Sequence, residues 1–364
     1  MKKVIALLLA LVMLFGIAAC GNQPANTNTT PAPSNDANTN TGDANAADNT
    51  ATDDPFAAIG DVKWRHSTQS PSTNVVGQMA QWIGEEVAKR TNGHFQVEVY
   101  TDGVLYSDKE CIEALQAGAL DSGQGGWGTL GKFADYTNAV SLPFLAQSWD
   151  ELNDLCFGDK FAGARELLYK SIEDAGLVPL GFYSTGLRNF TNNKRPVESL
   201  ADMAGLKIRV QSNDVYIDTF NAFGAYPVPM AASELLVALQ QGTVDAEENP
   251  LDFVYNDGFY EFQKYITTTH HIATIAGYEV SQKSWDALPD EYKKIYQEVI
   301  TEACQKLNAQ AEAEEEKYRK ILTDAGCEII DPSEEFIEEM REAAMTKVWP
   351  KYEEKYAEFL EYFK

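Results

Sequence analysis

The segment ALQAGALD at residues 114–121 recurs as ALQQGTVD at residues 238–245, and five of the eight positions are identical. Each copy is typical of a helix end, a glycine that stops the helix in the left-handed conformation, and a short apolar strand. Two similar α/β units in one chain predict two lobes that face each other. Ligands of open α/β sheets bind beyond the carboxyl ends of the strands. We therefore expect a binding cleft between the two lobes.

The sequence before the first copy alternates strand and helix patterns. In chain order these are strand 62–66, helix 74–90, strand 96–100 and helix 108–117. Ser107 and Glu110 have the spacing of a capping box, which marks the start of the second helix, and Gly118 marks its end. The second copy likewise follows a strand at residues 207–210 and a helix that begins near Ser233. This βαβαβ order predicts a parallel sheet with helices on its faces.

A long helix is predicted over residues 290–325, with Gly326 at its end. Its apolar residues recur at i, i+4 spacing and include Ile295, Val299, Ala303 and Leu307. At roughly 1.5 Å per residue the helix is on the order of 50 Å long, which exceeds the width of one lobe. We therefore expect it to lie across both lobes. A last helix starts at Ser333 and runs towards Pro350.

These patterns divide the folded body into discontinuous lobes. We predict lobe I over residues 61–185 and 275–310, lobe II over residues 186–274 and 311–335, and a C-terminal helix over residues 336–364. Closure of the lobes would be a hinge motion, with chain crossings near residues 183–186 and 272–277.

The N-terminus has the pattern of an export signal. Two lysines precede an apolar run over residues 4–19, which is too short to span a bilayer comfortably. Two small residues come directly before Cys20, and Gly21 follows it. We predict a lipoprotein signal peptide over residues 1–20 and a lipid on Cys20 that anchors the protein to the cell membrane. The alternative is an ordinary signal peptide with a chance cysteine.

The segment after the signal has its own composition. Residues 22–57 are mostly Asn, Thr, Ala, Pro and Asp, and no Lys or Arg occurs between Lys3 and Lys63. Such a stretch buries too little apolar surface to offset its chain entropy. We predict a disordered tether over residues 21–60 that holds the folded body outside the cytoplasmic membrane.

Charge and cysteine content limit the possible functions. The net charge of −26 argues against nucleic acid as a partner but says little about the ligand, since a cleft can carry the opposite sign. Besides Cys20 the chain has four cysteines, Cys111, Cys156, Cys304 and Cys327. They show no CxxC spacing and no nearby histidine, so neither a metal nor another cofactor is predicted. Cys111 lies on an apolar helix face and is predicted to be core, whereas pairing of Cys304 with Cys327 stays open.

Several further motifs occur in a fixed order. They are LPFL at 142–145, GLR at 186–188, TN at 191–192, GLKIRV at 205–210, PVPM at 227–230, SE at 233–234, ALQ at 238–240, VD at 244–245, ENP at 248–250 and LP at 288–289. With these motifs the chain, over about residues 62–345, resembles the solute receptors of tripartite ATP-independent periplasmic (TRAP) transporters, the DctP family. The resemblance implies a two-lobed α/β fold of the periplasmic-binding-protein (Venus flytrap) type, with a long helix across both lobes. It also implies an extracytoplasmic receptor that delivers a solute, usually an organic acid, to membrane permease subunits driven by an ion gradient.

The resemblance assigns roles to individual residues. Arg209 matches the arginine that pairs with the ligand carboxylate in relatives, and a planar guanidinium suits a carboxylate with two parallel hydrogen bonds. Asn249 matches a position whose amide contacts the ligand, and Arg188 matches a second arginine that faces the cleft. Glu248 and His271 match a buried polar cluster near that arginine, and we assign them support of the closed state. The alternatives are a surface arginine for Arg209, a turn for Asn249 and a hinge salt bridge for Arg188.

The sequence departs from the relatives at several cleft positions. Ala232 stands where several acid-specific relatives carry a bulky aromatic residue, so the pocket is predicted to be wider. Trp127, which follows the first strand of the repeat, is predicted as an apolar wall of the site, with core packing as the alternative. Thr68 and Gln69 come just past the first strand and are placed to donate hydrogen bonds into the cleft, with loop capping as their alternative.

Enzyme motifs are weak in this chain. Residues 123–128 match GxGxxG, but a lone match is weak evidence, and here it does not open the first βαβ unit. His270 and His271 lack the spacing of a zinc hydrolase, and the sequence has no GxSxG elbow. Glu247 and Glu248 point to opposite faces if they lie in a strand. An adhesin or scaffold lipoprotein would explain the tether but not the repeat or the arginines, so we interpret the chain as a receptor and not as an enzyme.

Overall fold

The computed structural model describes residues 54–364. The predicted signal peptide, the lipid site at Cys20 and residues 21–53 of the tether lie outside this range. Its strands are β1 Val62–Thr68, β2 Phe95–Tyr100, β3 Ser122–Gly126, β4 Leu177–Leu187, β5 Asn189–Asn192, β6 Lys207–Val210, β7 Tyr226–Pro229, β8 Ala246–Asn249, β9 Tyr265–Thr267, β10 Ala273–Ser281 and β11 Glu328–Ile330. Its α-helices are α1 Val75–Arg90, α2 Asp108–Gln116, α3 Trp127–Leu130, α4 Trp149–Phe157, α5 Ala162–Asp174, α6 Leu200–Met203, α7 Asp214–Ala222, α8 Ala232–Gln240, α9 Leu251–Asn256, α10 Gln282–Ala287, α11 Asp290–Asp324, α12 Glu334–Lys347 and α13 Ala357–Leu360. Short 3₁₀ helices lie at Asp135–Ser141, Asp159–Phe161, Phe259–Glu261, Trp349–Lys351 and Glu361–Phe363.

The first sheet has the strand order β2-β1-β3-β10-β4. β1 pairs in parallel with β2 and with β3, as the βαβαβ pattern predicts. The sheet is nevertheless mixed, because β10 runs antiparallel to both β3 and β4. The expectation of a parallel sheet is wrong on this side of the sheet, since β10 comes from a distant part of the chain that the local pattern does not include.

The second sheet has the strand order β11-β9-β5-β8-β6-β7. β6 pairs in parallel with β7 and β8, whereas β5 runs antiparallel to β8 and β9. The edge strand β7 contains Pro227 and Pro229, and proline suits an edge because it lacks an N–H to donate to a further strand.

The sequence repeat folds in the same way in both lobes. Gly118 and Gly242 follow α2 and α8 with φ of +64° and +66°. Glycine takes this left-handed conformation without a steric cost, which explains why it recurs at both helix ends. Asp121 accepts a hydrogen bond from a backbone N–H of β1 at 2.8 Å, and Asp245 accepts one from β6 at 3.1 Å. The repeated aspartate therefore ties each copy to the strand beside it.

The chain crosses between the two sheets at two adjacent places. β4 ends in the first sheet at Leu187 and β5 begins in the second at Asn189, so Arg188 alone lies between them. The return runs from β9 to β10 through residues 268–272. The backbone N–H of Arg188 donates to the carbonyl of Ile272 at 2.9 Å, which holds the two crossings side by side.

The long helix α11 packs against both lobes. Its first half contributes Val299, Ala303 and Leu307 to the apolar core under the first sheet. Its second half contributes Leu322 to a cluster beside β9 in the second lobe. Gly326 follows its end with φ of +97°. The prediction of a long helix across both lobes is confirmed.

The C-terminal segment is less regular than predicted. α12 ends at Lys347, and a 3₁₀ turn that contains Pro350 follows it, so the single helix predicted over residues 336–364 is wrong. Proline has no N–H for the helical hydrogen bond and ends regular α-helix. α12 packs in the second lobe, whereas Phe359 returns to the core of the first.

The folded body begins earlier than predicted. The sequence pattern places residues 54–60 in the tether, but the ring of Phe56 packs against Tyr292 with their centroids 5.8 Å apart. The Tyr292 hydroxyl also donates to the carbonyl of Gly60 at 2.9 Å. The tether boundary is wrong for these residues, because Phe56 and Ile59 both pack against the first-lobe core and dock the segment on the body.

The cysteines of residues 54–364 are buried and unpaired. Cys304 lies in the core of the first lobe and Cys327 in a cluster of the second, so the disulfide that the sequence left open is not formed. Cys111 is a core residue, as predicted. Within the same range, no group of three or more metal-binding side chains occurs, and no helix is both long and apolar enough to cross a bilayer.

Candidate ligand-binding cleft

A cleft lies between the two sheets, where the carboxyl ends of β1, β3, β6 and β8 come together. It holds about 720 Å³ of space free of protein atoms, part of it open to solvent. Its polar lining includes Thr68, Gln69, Asp108, Gln124 and Thr185 from the first lobe, and Arg188, Arg209, Gln211 and Asn249 from the crossing and the second lobe. This position agrees with the general rule for ligands of open α/β sheets.

Arg209 in β6 is a buried cation without a carboxylate partner. The residue is 3% exposed, and its Nε and Nη2 donate to the Met230 carbonyl at 3.0 and 2.8 Å. Among residues 54–364, no carboxylate forms a salt bridge with it and no group accepts a hydrogen bond from its Nη1. Burial lowers the pKa of Arg209, but an arginine side chain keeps its proton in proteins. The cleft therefore contains a fixed positive charge with free N–H donors.

Arg188 is a second buried arginine, and its charge is neutralised. Its Nε donates to the Glu248 carboxylate, and its Nη2 donates to Glu248 Oε1 at 2.9 Å and to Asn249 Oδ1 at 2.7 Å. Its Nη1 donates to Thr274 Oγ1 at 3.2 Å. Burial by itself would lower the pKa of Arg188, but the charge of Glu248 outweighs this effect and raises the pKa. The salt bridge considered as an alternative for Arg188 is thus present, and the side chain still lines the cleft.

Glu248 and His271 lie behind Arg188, away from the cleft. His271 Nε2 is 3.5 Å from Glu248 Oε2, and His271 Nδ1 is 2.7 Å from the Thr269 hydroxyl. Burial raises the pKa of Glu248, but Arg188 and His271 together outweigh it, so the pKa is lowered. Burial also lowers the pKa of His271. The structure therefore gathers both residues around Arg188, where they fix its position.

Asn249 ends β8 in the wall of the cleft, with both ends of its amide used. Its Oδ1 accepts from Arg188, and its Nδ2 donates to Glu247 Oε2 at 2.6 Å. Glu247 also accepts from the Thr191 hydroxyl at 2.6 Å, and burial raises the pKa of Glu247 to about 7. An amide nitrogen carries two hydrogens, so one Nδ2–H of Asn249 remains for a ligand.

Thr68 and Gln69 both line the cleft, at the end of β1 and directly after it. The Thr68 hydroxyl accepts from the N–H of Ser70 at 3.2 Å, so loop capping and a place in the wall hold at once. The polar atoms of the Gln69 side chain are buried, and its amide lies beside the Asp108 carboxyl, where it favours the ionised form and so lowers the pKa of Asp108. Gln69 therefore lines the cleft together with Asp108.

Trp127 does not line the cleft. It is fully buried in the first-lobe core, where its Nε1 donates to Glu279 Oε1 at 2.9 Å and its ring lies 4.7 Å from that of Phe182. The prediction of an apolar wall is wrong and the alternative of core packing holds. The reason is that Trp127 begins α3, which turns the ring towards β4 and β10.

The glycines on either side of Trp127 allow the lobes to approach each other. A Cβ on Gly128 would lie 2.2 Å from Oε1 of Gln211, and a Cβ on Gly126 would lie 3.3 Å from it. Gln211 follows β6 and reaches across from the second lobe. The GxGxxG match therefore marks a close contact between lobes and not a dinucleotide site.

Several charged or polar groups in the lining were missed by the sequence reasoning, and three of them are Asp108, Gln124 and Asp257. Asp257 accepts a hydrogen bond from Asn74 Nδ2 at 3.1 Å, and burial raises the pKa of Asp257 to about 7. A signal existed for two of them, because Asp108 follows the Ser107 cap and Gln124 lies in the strand after the repeat. No such pattern marks Asp257.

Hydrogen bonds join the lobes at both rims of the cleft. Asn74 of the first lobe bonds Asp257 of the second at one rim. At the other rim, Nδ2 of Asn213 donates to the carbonyl of Gly128 at 2.9 Å and to Asn138 Oδ1 at 2.6 Å. These bonds require the lobes to be close together, so the conformation is that of a closed cleft.

A family model described as DctP, bacterial extracellular solute-binding protein, family 7, matches residues 66–355. The chain belongs to this family. The C4-dicarboxylate-binding periplasmic protein DctP of Rhodobacter capsulatus is 34% identical over 253 residues, which cover 69% of this DctP-family chain and 74% of that protein. The 2,3-diketo-L-gulonate-binding periplasmic protein of Escherichia coli is 28% identical over 254 residues, with coverage of 69% and 75%.

Solved structures agree with this assignment. A TRAP periplasmic solute-binding protein from Polaromonas sp. JS666, bound to D-erythronate, has a TM-score of 0.78 at 28% identity and covers 83% of this chain and 98% of its own. Another from Sulfitobacter sp. NAS-14.1, with bound β-D-galacturonate, has a TM-score of 0.76 at 28% identity and the same coverage. With the two sheets, these similarities confirm the two-lobed α/β fold, and the DctP family consists of solute-binding proteins and not enzymes.

Proposed function

We propose that this DctP-family protein is the extracytoplasmic receptor of a TRAP transporter, which binds one small organic acid through Arg209 and delivers it to membrane permease subunits. The observation that carries the proposal is the buried guanidinium of Arg209. It lines the cleft, is held by the Met230 carbonyl and has no carboxylate partner between residues 54 and 364. An uncompensated buried charge is costly, and groups of this kind cluster at functional sites.

A carboxylate on the ligand supplies the missing partner. The free N–H groups of Arg209 lie in the plane of its guanidinium and suit the two oxygens of a carboxylate. D-erythronate and β-D-galacturonate, which similar proteins bind, both carry this group, as do C4-dicarboxylates. One carboxylate is the feature that all these ligands share.

In this proposal Arg188, with Glu248 and His271 behind it, supports the site. The ion pair keeps Arg188 in place at the crossing between lobes, and Arg188 in turn holds Asn249 towards the ligand. The hinge lies at Arg188 and at residues 268–272, which divide the two lobes. The earlier expectation of residues 183–186 and 272–277 is less suitable, because β4 and β10 are paired there within the first sheet.

A lipid on Cys20 holds the receptor at the outer face of the cell membrane in this proposal. The support is the sequence pattern of an apolar run, two small residues and a cysteine. Fractionation of cells that produce Cys20→Ala tests it, and a variant that stays in the membrane fraction would contradict a lipid at this position.

Isothermal titration of Arg209→Ala with the acid that co-purifies with the wild-type protein tests the site. We expect affinity to fall about 30-fold to several-thousand-fold, since loss of one partner of a buried charge pair costs about 2–5 kcal/mol. Arg209→Lys should recover part of this, because an ammonium lacks the two-pronged geometry. Arg195→Ala is a matched control, since Arg195 also donates to backbone carbonyls of the second lobe but does not line the cleft.

A cycle with a modified ligand identifies the contact. Conversion of the ligand carboxylate to an amide should weaken binding to wild type strongly and binding to Arg209→Ala weakly, since both changes delete one interaction. If the two losses simply add, Arg209 does not hold the carboxylate and the proposed site is wrong.

A further inference from the structure

The charged groups that line the cleft are few. Arg188 and Arg209 are its cations, and Asp108 and Asp257 are its anions. Glu248 balances Arg188, which leaves Arg209 as the one cation of the described lining without a carboxylate partner. A single carboxylate on the ligand therefore uses the available positive charge, and a second carboxylate would find none.

Asp108 places acceptor oxygens in the first-lobe wall. It is the first residue of α2 and lines the cleft, and its Oδ1 would lie 3.6 Å from a Cβ on Gly125 at the end of β3. No cation of the described residues forms a salt bridge with it. Burial raises the pKa of Asp108, while the Gln69 amide and the charge of Arg209 partly offset this effect. Ionised or protonated, a carboxyl group keeps an oxygen that accepts hydrogen bonds.

One buried side chain of the same wall points independently to a ligand. The hydroxyl of Thr185 is 3% exposed, lines the cleft and has no partner in the described chain. Buried polar atoms cost free energy until a partner arrives. A polar ligand in the cleft would supply that partner.

We propose that the first-lobe wall, through Asp108, selects organic acids that carry one carboxylate and a hydrogen-bond donor, either a hydroxyl or an ammonium group, at the opposite end. This inference rests on the proposed function, since it takes the carboxylate to be held by Arg209. A dicarboxylate is disfavoured because its second charge would lose water beside Asp108 without meeting a cation. Two carboxylates that share a desolvated site do not both ionise without a penalty.

Two matched sets of ligands test the selectivity. γ-Hydroxybutyrate, γ-aminobutyrate and succinate share one chain length, and ε-hydroxycaproate, ε-aminocaproate and adipate share a longer one. Within each set only the group opposite the first carboxylate changes. Isothermal titration of wild type should give at least about tenfold tighter binding of the hydroxy or the amino acid than of the dicarboxylate, because juxtaposed like charges are strongly unfavourable. Tighter binding of the amino acids would show an ionised Asp108, and tighter binding of the hydroxy acids a protonated one.

Variants connect the selectivity to Asp108. Asp108→Asn should remove most of the difference in affinity between the dicarboxylate and the hydroxy and amino acids of the same set. Asp150→Asn is the control, since Asp150 also lies in the first turn of a helix but is outside the cleft. This variant should keep the wild-type order of affinities within each set.

The outcomes separate this inference from the proposed function. Equal affinity of wild type for all members of a set, or an unchanged difference in Asp108→Asn, would overturn the role of Asp108 while leaving Arg209 in place. If Arg209→Ala binds the preferred probe as tightly as wild type does, the proposed function fails instead. Failure of wild type to bind any of the six acids would overturn the inference, whereas the proposed function is tested separately with the co-purified acid.

Discussion

The two lobes hold buried ionisable groups in different ways. In the second-lobe wall, Arg188 and Glu248 are both buried and neutralise each other. Arg209 in the same wall has no carboxylate partner within the described residues. In the first lobe, buried Glu279 accepts from the indole N–H of Trp127, and burial raises the pKa of Glu279 to about 8. The presence of a partner within the protein, and not the residue type, therefore decides which of these groups stabilises the fold and which is available to a ligand.

The largest expected effect comes from breaking the neutralised pair. Arg188→Ala should lower the free energy of unfolding by about 3–5 kcal/mol, because it leaves Glu248 buried without a counter-charge. Urea unfolding of the ligand-free protein measures this. The double variant Arg188→Ala, Glu248→Ala should lose less than the single one, since no lone charge remains. A single variant within about 1 kcal/mol of wild type would show that the pair is not a structural element.

Much of the fold could be predicted from local sequence signals. The repeated glycine and aspartate, the capping box at Ser107 and the periodicity of α11 each report on neighbours within a few turns, and the structure contains all of them. The pairing of Arg188 with Glu248 joins residues 60 positions apart, and no local pattern encodes it. The resemblance to known receptors placed both arginines at the cleft and put Glu248 and His271 near Arg188, with a hinge salt bridge as the alternative role for that arginine.

The remaining errors have the same origin. β10 enters the first sheet from a distant part of the chain, and its strand direction depends on the route through the second lobe. The side chain and sequence position of Trp127 suit the wall of the cleft and the core of the first lobe equally. The turn into α3 decides between these two places. Phe56 docks on α11 although the sequence before it is polar. In each case a tertiary contact overrides what the local sequence indicates.

The second prediction concerns the unpaired carboxyl of the first lobe. The pKa of Glu279 in the folded protein is about 8, above its ordinary value of 4.5. Between these two pH values the folded protein keeps a proton that the unfolded chain has released. The contribution of Glu279 is thus fully present below the lower value and is lost as pH rises, by up to about 1.4 kcal/mol per pH unit.

Glu279→Gln should flatten this dependence, because the amide does not titrate and its oxygen still accepts from Trp127. Urea unfolding of both proteins at a series of pH values between these two pKa values measures the slopes. Equal slopes in wild type and Glu279→Gln would show that this carboxyl ionises freely in the folded state.

The third prediction tests the other side of the comparison. Arg209→Met, which keeps the length of the side chain, should leave the free energy of unfolding of the ligand-free protein within about 1 kcal/mol of wild type. The reason is that removal of Arg209 leaves no carboxylate without its partner. Urea unfolding alongside Arg188→Met makes the contrast direct. If both substitutions destabilise equally, the two arginines do not differ in the way that their contacts indicate.

The last expected effect is on affinity and lies where the two walls meet. A Cβ on Gly128 would come 2.2 Å from Oε1 and 3.5 Å from Cβ of Gln211, so Gly128→Ala displaces that side chain from between the lobes. Because the amide ends a flexible chain, it can rotate away at modest cost, and we expect solute affinity to fall roughly three- to tenfold, at most about 1.4 kcal/mol. In a Gln211→Ala background the added methyl meets no amide, so Gly128→Ala should then have little further effect on affinity by isothermal titration. An equal loss of affinity in both backgrounds would mean that Gly128 is needed for the conformation of its own backbone. Contact between the walls at this point would then not limit closure on the ligand.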